Sequence, residues 1–329
     1  MRRWAVIAFL ALHFVLLLLA GFLPYPVNEQ NRRLSFAPPT PMSWLDADGY
    51  WTGPTVGRLI RSSESPNGYR LDTSEPYAVR FFSRYDTDAP GTLRLWTTDS
   101  PSGAHLWGTD RYGRDVFSRA LHGARLSLFT GILAGTLAIC LGLMIGAACV
   151  LWGGWVDSIG MRLAELTWSL PWLYLLIAFR SFVPLDTDPE KLFVWTILLV
   201  GLLAWPYPAR LARGTMLAAM QEDYIQASIG FGVSRKYLFF KHLLPHTRDA
   251  LLTHWTLLVP QCVLAEVALS FFGLGSGAGV PSLGNMLADL TEVGGAMTKP
   301  WMFSPAIVLG LAILSYHLLA EALHRSRGD

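Results

Sequence analysis

Leu126–Trp152, LSLFTGILAGTLAICLGLMIGAACVLW, is a run of 27 residues with no Asp, Glu, Lys, Arg or His. A bilayer's hydrocarbon core takes roughly 20 apolar residues of helix, so a charge-free run of this length reads as a membrane span. Backbone groups find no water in hydrocarbon, which leaves helices and closed barrels as the spanning structures. Continuous rather than alternating hydrophobicity selects the helix. Composition agrees: of 329 residues 52% are hydrophobic and 15% charged, with a mean hydropathy of +0.35, where soluble domains carry about 25% charged residues. A net charge of +2, with no basic run interleaved with aromatics, sets aside a nucleic-acid partner. Cys140, Cys149 and Cys262 all fall in apolar stretches; their spacing fits neither zinc nor a disulfide framework, and they read as buried small hydrophobes.

Working outward, five further runs have spanning length: Trp4–Pro24, Ile159–Val183, Leu192–Ala209, Ala250–Phe272 and Trp301–Leu323. The expected fold is an all-α integral membrane protein with six transmembrane helices. Residues 1–24 read as an uncleaved first helix, because the apolar run exceeds a signal core and its exit, Ala20–Pro24, lacks a small-x-small cleavage site. With the amino terminus inside, the cytoplasmic segments hold Arg2, Arg3, Arg162, Arg210, Arg213, Arg235, Lys236, Lys241, Arg248, Arg325 and Arg327. The short outer loops Pro184–Lys191 and Leu274–Pro300 hold only Lys191 and Lys299. This bias places both termini in the cytoplasm. Arg180, near the outer end of the third span, is expected to snorkel to the interface. Residues 25–119 then form an extracytoplasmic insertion with eleven Arg against eleven acidic residues. Its clusters Tyr77–Phe82 and Thr92–Trp96 read as short strands.

One polar, basic segment interrupts the apolar sequence on the inner side, about 214–249. Within it, Ala227, Ser228, Gly230 and Gly232 offer little side chain, so another protein's backbone can come close. Gly232 permits a sharp change of direction between two short helices. Ser234 is placed to cap the second helix and Pro245 to end it. The pattern Gln226-Ala227-Ser228, three residues, Gly232, nine residues, His242-Leu243-Leu244-Pro245 resembles the EAA loop of permeases in ATP-binding-cassette (ABC) importers.

Two further stretches narrow the resemblance. Gly108-Thr109-Asp110-Arg111-Tyr112-Gly113-Arg114-Asp115-Val116-Phe117-Ser118-Arg119, followed by His122–Leu128, is similar to the segment preceding the core helices in the second permease of dipeptide, oligopeptide and nickel importers. Glu266–Gly275 with Pro281-Ser282-Leu283-Gly284-Asn285-Met286 looks like that group's E-x-x-LSFLGLG…PSWGNML, and Pro300-Trp301…Pro305-Ala306 is a weaker match at the last span. Gln226, Ser228 and Leu283 depart from the pattern, and the region from about residue 26 to 105 is longer than in the best-known members.

The resemblance implies a five-helix permease core over 120–329, and a docking loop in which Asp223, Tyr224, Gln226, Ala227, Ser228, Gly232, Leu244 and Pro245 meet an ATPase. Its motif positions here are Gly108, Thr109, Asp110, Gly113, Arg114, Asp115, Ser118, Arg119, Glu266, Ser270, Gly273 and Gly275. Implied partners are a second permease forming a heterodimer, two ABC ATPase subunits or domains and an extracytoplasmic solute-binding protein, in the cell's inner membrane. This chain is expected to bind no cofactor itself, with ATP and Mg on the ATPases. Cargo stays open among peptides, nickel chelates and other small solutes; a stand-alone channel or carrier assigns no purpose to the cytoplasmic spacing.

Ionisable residues inside spans are candidate sites by default. Glu266 reads as a helix-holding group hydrogen-bonded toward the bundle interior, with backbone donors around Ser270–Gly275 or the partner permease as its partners. Arg162–Glu165 and His317–Glu321 read as local pairs at helical spacing. Gly131, Gly135, Gly142 and Gly146 are expected to let the second helix approach its neighbours. No Gly-Lys dipeptide and no HExxH occurs, so the chain has neither a P-loop nor that zinc motif. Gly273–Gly279 follows a membrane helix rather than a strand and is not a phosphate loop. His242 and His246 are separated by Pro245, which is expected to break the helix that would align them.

Overall fold

The computed structural model describes residues 9, 11, 13, 19–45, 50–65, 67–85, 92–184, 187–275, 277, 279–292 and 299–325. Most of the expected first span, and Arg2, Arg3 and Arg327 with it, lie outside the described residues. The polar module is a four-stranded antiparallel sheet in sequential order: β1 (Met42–Leu45), β2 (Trp51–Arg61), β3 (Tyr69–Tyr85) and β4 (Thr92–Thr98). Both expected strand clusters fall in it, Val56 opposite Tyr77 and Phe81 opposite Trp96. The chain as a whole is therefore mostly helical rather than all-α. Nonlocal pairing of extended segments is what the span-by-span hydropathy reading does not register.

The helices are α1 (Val116–Trp152), α2 (Gly154–Ser169), α3 (Trp172–Ser181), α4 (Pro189–Ala204), α5 (Pro206–Ala219), α6 (Asp223–Gly230), α7 (Leu244–Phe271), α8 (Leu283–Glu292) and α9 (Ser304–Arg325). Among the described residues three helical stretches are long and apolar enough to cross a membrane, Val116–Trp152, Arg235–Phe271 and Pro300–Leu323. The pair α4 and α5, bent by 44°, makes a fourth if taken as one span. Ile159–Val183, expected as one helix, is two: Leu170, with ψ 139°, is extended before Pro171, as steric contact with the proline ring requires. The Leu192–Ala209 run likewise bends at Trp205 and continues to Ala219. The loop expected between Leu274 and Pro300 contains α8.

Asp115 starts α1 by accepting the Ser118 N–H at 2.7 Å, and the helix, roughly 55 Å long at 1.5 Å per residue, is the axis of the membrane part. Three apolar clusters follow one another along it. The first joins Leu121, Ala124 and Leu128 to Val263 and Val267 of α7 and to Val308, Ala312 and Tyr316 of α9. The second joins Ala134 and Ala138 to Leu176, Val200, Leu258 and Leu269. The third joins Ala147 to Met216, Ala219, Ile225, Leu238 and Leu243. Small residues make this packing close: a Cβ on Gly131 would collide with Val263, and one on Gly142 or Gly146 with the backbone of α5. Cys149 and Cys262 are buried as expected, while Cys140 is exposed on the helix surface.

Three local expectations are corrected. Pro245 does not end a helix: one α turn, Arg235–Tyr237, and a π-helical segment, Leu238–Leu243, run directly into α7. The Leu244 N–H reaches the Phe239 carbonyl, and this wider turn absorbs the donor that proline lacks. Arg180 does not snorkel. It is buried, its Nε donating to the Leu274 carbonyl at 2.7 Å and an Nη to that of Val183 at 3.0 Å. His317 hydrogen-bonds through Nδ1 to the Ile313 carbonyl at 3.0 Å rather than to Glu321.

Candidate functional site

After α5 the chain turns through Met220–Glu222 into α6, whose first turn carries Asp223, a favourable charge at a helix N-terminus. Ile225 is the anchor. It is fully buried in the cluster with Met216, Ala219, Leu238 and Leu243, a burial worth about 1.5–3 kcal/mol. Gln226 Nε2 donates to the Met220 carbonyl at 2.5 Å, and Ser228 Oγ to that of Tyr224 at 2.9 Å. The helix ends at Phe231 and Gly232, the latter with φ 73° and open space where a Cβ would stand. Glycine is needed there for its backbone conformation, not for room. Ser234 Oγ then accepts the Tyr237 N–H at 3.3 Å, capping the next turn as expected.

The outer face of this helix–turn–helix is apolar and uncovered. Phe231 is 89% exposed and Phe240 66%, with Tyr224 and Tyr237 near half; Ala227, Ile229 and Gly230 are also exposed among them. The His242 ring lies 5.8 Å from that of Tyr224 and 5.7 Å from that of Tyr237, so two of these aromatics are held against one imidazole. Leu243 shares the Ile225 cluster, which brings Leu244 and Pro245 to the α6 anchor. Asp223, Tyr224, Gln226, Ala227, Ser228 and Gly232 thus lie on α6 and its turn, and Leu244 and Pro245 follow directly after Leu243. Sequence reasoning missed Tyr237, Phe231 and Phe240, because no spacing rule separates an exposed aromatic from a core one.

Two ion pairs tie α5, which feeds the loop, to α2. Arg213 grips Asp157 with Nε and an Nη, both at 2.5 Å, and holds that carboxyl below the usual carboxylate range. Arg210 reaches Glu165 at 3.2 Å, so Glu165 has an interhelical partner besides the expected Arg162 at 3.5 Å.

The Gly108–Arg119 motif is a buried buckle rather than an exposed face. Asp110 accepts Arg114 Nε at 2.6 Å and the backbone N–H groups of Tyr112 and Arg114, with Arg119 Nε at 3.5 Å. Asp115 receives His105 Nδ1 at 2.9 Å in addition to capping α1. Thr109 Oγ1 accepts the Ala37 N–H at 2.8 Å and donates to the Leu34 carbonyl. Ser118 Oγ accepts the Tyr25 N–H at 3.4 Å, and an Nη of Arg119 donates to the Val27 carbonyl at 3.1 Å. Gly108 and Gly113, at φ 66° and 72°, lie against Trp301 and the Asn31 backbone. From α8, Asp289 pairs with Arg111 at 3.3 Å and Arg114 at 3.5 Å; burial pushes its carboxyl up against the pull of Arg111. Asp289 and His105 carried no sequence signal that set them apart.

The downstream motif closes the other side. Glu266 is buried and accepts Ser270 Oγ at 2.7 Å. Gly273, at φ 74°, and Leu274 return N–H bonds to Ser270 and Leu269. Gly275 packs on Ser270 and Gly284 on the Val267 carbonyl.

Residues 138–328 match the family described as binding-protein-dependent transport system inner membrane component. The chain belongs to that family. Among its relatives, the oligopeptide transport system permease protein OppC of Bacillus subtilis is 33% identical over 244 residues, covering 74% of this chain and 76% of that one. The dipeptide transport system permease protein DppC of the same organism is 35% identical over 216 residues, covering 65% of each. A protein of Brucella ovis with a peptide-permease name is 35% identical over 217 residues, 65% of this chain and 69% of its own. Among solved structures, the inward-facing MetNI methionine ABC transporter gives a TM-score of 0.49 at 19% identity, covering 62% of this chain and 94% of that one. The protein is a multi-pass inner-membrane permease subunit of an ABC importer, a transport subunit that works with an ATPase and a solute-binding protein.

Proposed function

We propose that this permease forms one half of a heterodimeric translocation pathway for peptides, driven from the cytoplasm through α6. The carrying observation is α6 and its turn: a short helix fixed from behind by Ile225, with Tyr224, Ala227 and Gly230 exposed on it and Phe231 and Phe240 exposed in the segments that follow. Such an uncovered apolar patch fits a protein partner, and the rigid anchor lets a push on α6 reach α5 and α1. In this reading residues 1–24 are the first of six spans, 25–119 lie outside, and 120–329 are the core with both termini in the cytoplasm. ATP and Mg sit on the ATPases, and this chain performs no chemistry of its own. Closure of the ATPases on two such loops rocks the permeases between inward-open and outward-open states. The peptide class follows the named relatives.

The test is Gly232→Leu. A side chain at φ 73° costs about 1–2 kcal/mol, enough to re-aim α6 without touching the spans. In reconstituted vesicles the variant is expected to insert normally while ATP hydrolysis and uptake come apart. Uptake and ATPase binding equal to wild type would sink the reading.

A further inference from the structure

Two helix breaks fall on one wall. The interruption at Leu170–Pro171 and the bend at Trp205–Pro206 both line a groove of about 920 Å³ whose opposite side is α7. Proline has no N–H, so Pro171 leaves the Thr167 carbonyl, and Pro208 the Ala204 carbonyl, without the donor four residues on; Thr167 and Ala204 line this groove. Irregular backbone at membrane depth persists where it is buried in protein or borders a wet cavity, and interrupted helices are where transporters hold their solutes.

Side chains point the same way. His254 Nε2 is buried and has no hydrogen-bond partner among the described residues, while its ring lies 4.5 Å from that of Tyr207, which Trp168 meets edge-on at 5.8 Å. Gln261, two turns along the same face of α7, is exposed to the groove. Among the described residues no Asp, Glu, Lys or Arg lines it. Lipid tails or an apolar helix seated there would leave the imidazole, the amide and the freed carbonyls unsatisfied, which is costly in a dry environment. An amphipathic solute satisfies both kinds of wall.

Resting on the reading of this chain as a peptide importer's permease, we propose that the groove is its solute site, and that it takes a short peptide. The peptide's aromatic or aliphatic side chain lies on Tyr207 and Trp168, and its amide groups hydrogen-bond to His254 and Gln261. The uncharged wall admits peptides by these contacts rather than by ion pairing.

The experiment uses the full complex with its binding protein in proteoliposomes. In a background of Cys140→Ala, Cys149→Ala and Cys262→Ala, Gln261→Cys is expected to react with a membrane-impermeant maleimide, and alanyl-phenylalanine to slow the reaction. Ile307→Cys, on the exposed apolar face of α9, is expected to stay unlabelled. Failure of Gln261→Cys to react in any nucleotide state means that lipid or the second permease covers the groove, and overturns the proposal. In the second arm, Tyr207→Leu is expected to lower the ratio of alanyl-phenylalanine to alanyl-alanine uptake about three- to tenfold. An equal fall for both peptides marks a structural role and overturns the assignment. Uptake of neither peptide by the wild-type complex overturns the cargo reading instead, and labelling then decides the groove by itself.

Discussion

Glu266 brings a carboxyl group to a position only 2% exposed. A charged side chain inside a span is costly unless it finds a partner or water. Ser270 Oγ, one turn on, supplies the hydrogen bond at 2.7 Å; the expected backbone donors of 270–275 do not. Glu266→Gln keeps the size and an acceptor oxygen for Ser270, and is expected to retain substantial transport across pH. Glu266→Leu removes the acceptor and is expected to impair assembly or uptake. Initial uptake rates at matched complex levels check both, and loss of transport in a fully assembled Gln variant at every pH would mean that the carboxyl titrates in the cycle. Arg180 teaches a related lesson. Its stem is long enough to snorkel, and from sequence nothing competes with the interface. The folded chain sets the Leu274 carbonyl beside it, 94 residues away, and that contact wins.

At the scale of elements, the buckle joins residues 25–40, the start of α1 and α8 around one buried set of charges, with Trp301 donating to the Thr109 carbonyl at 3.2 Å. Removing one partner of such a set is costly because the remaining charges stay buried. Asp289→Leu removes the carboxylate that Arg111 and the buried Arg114 share, leaving Asp110 beside Arg114. A loss of about 3 kcal/mol is expected, toward the low end for buried pairs because Arg111 is one-third exposed. Thermal inactivation of the purified complex reads it: an unchanged half-inactivation temperature would show that α8 is held by packing alone. The motif residues from Gly108 to Arg119 were legible in the sequence as a set, but not their purpose. Asp289 lies far along the chain, and ion pairing at that separation leaves no periodic trace. Pro245 departs from its expected role for a similar reason. Proline's missing donor is a local property, whereas the π turn that absorbs it is held by the packing of Leu238 and Leu243 around Ile225.

For the whole molecule, the proposed topology has residues 214–249 inside and 25–119 outside. Ser63, exposed in the turn between β2 and β3, offers the test: Ser63→Cys is expected to react with an impermeant thiol reagent on sealed cells. Reaction only after permeabilisation would invert the topology. The apolar runs, the docking segment between α5 and α7 and the three family motifs could be read from sequence alone, because run length, spacing and residue size are local quantities. The close face of α1 was legible on the same ground, from its glycines. Only the tertiary structure decided that the breaks before Pro171 and Pro206 both turn toward α7. It also decided that Arg213 crosses 56 residues to Asp157, and that Phe231 faces outward while Ile225 faces in. Each of these depends on which surfaces meet, and hydrophobicity along a chain states that a side chain leaves water without stating what it meets when it does.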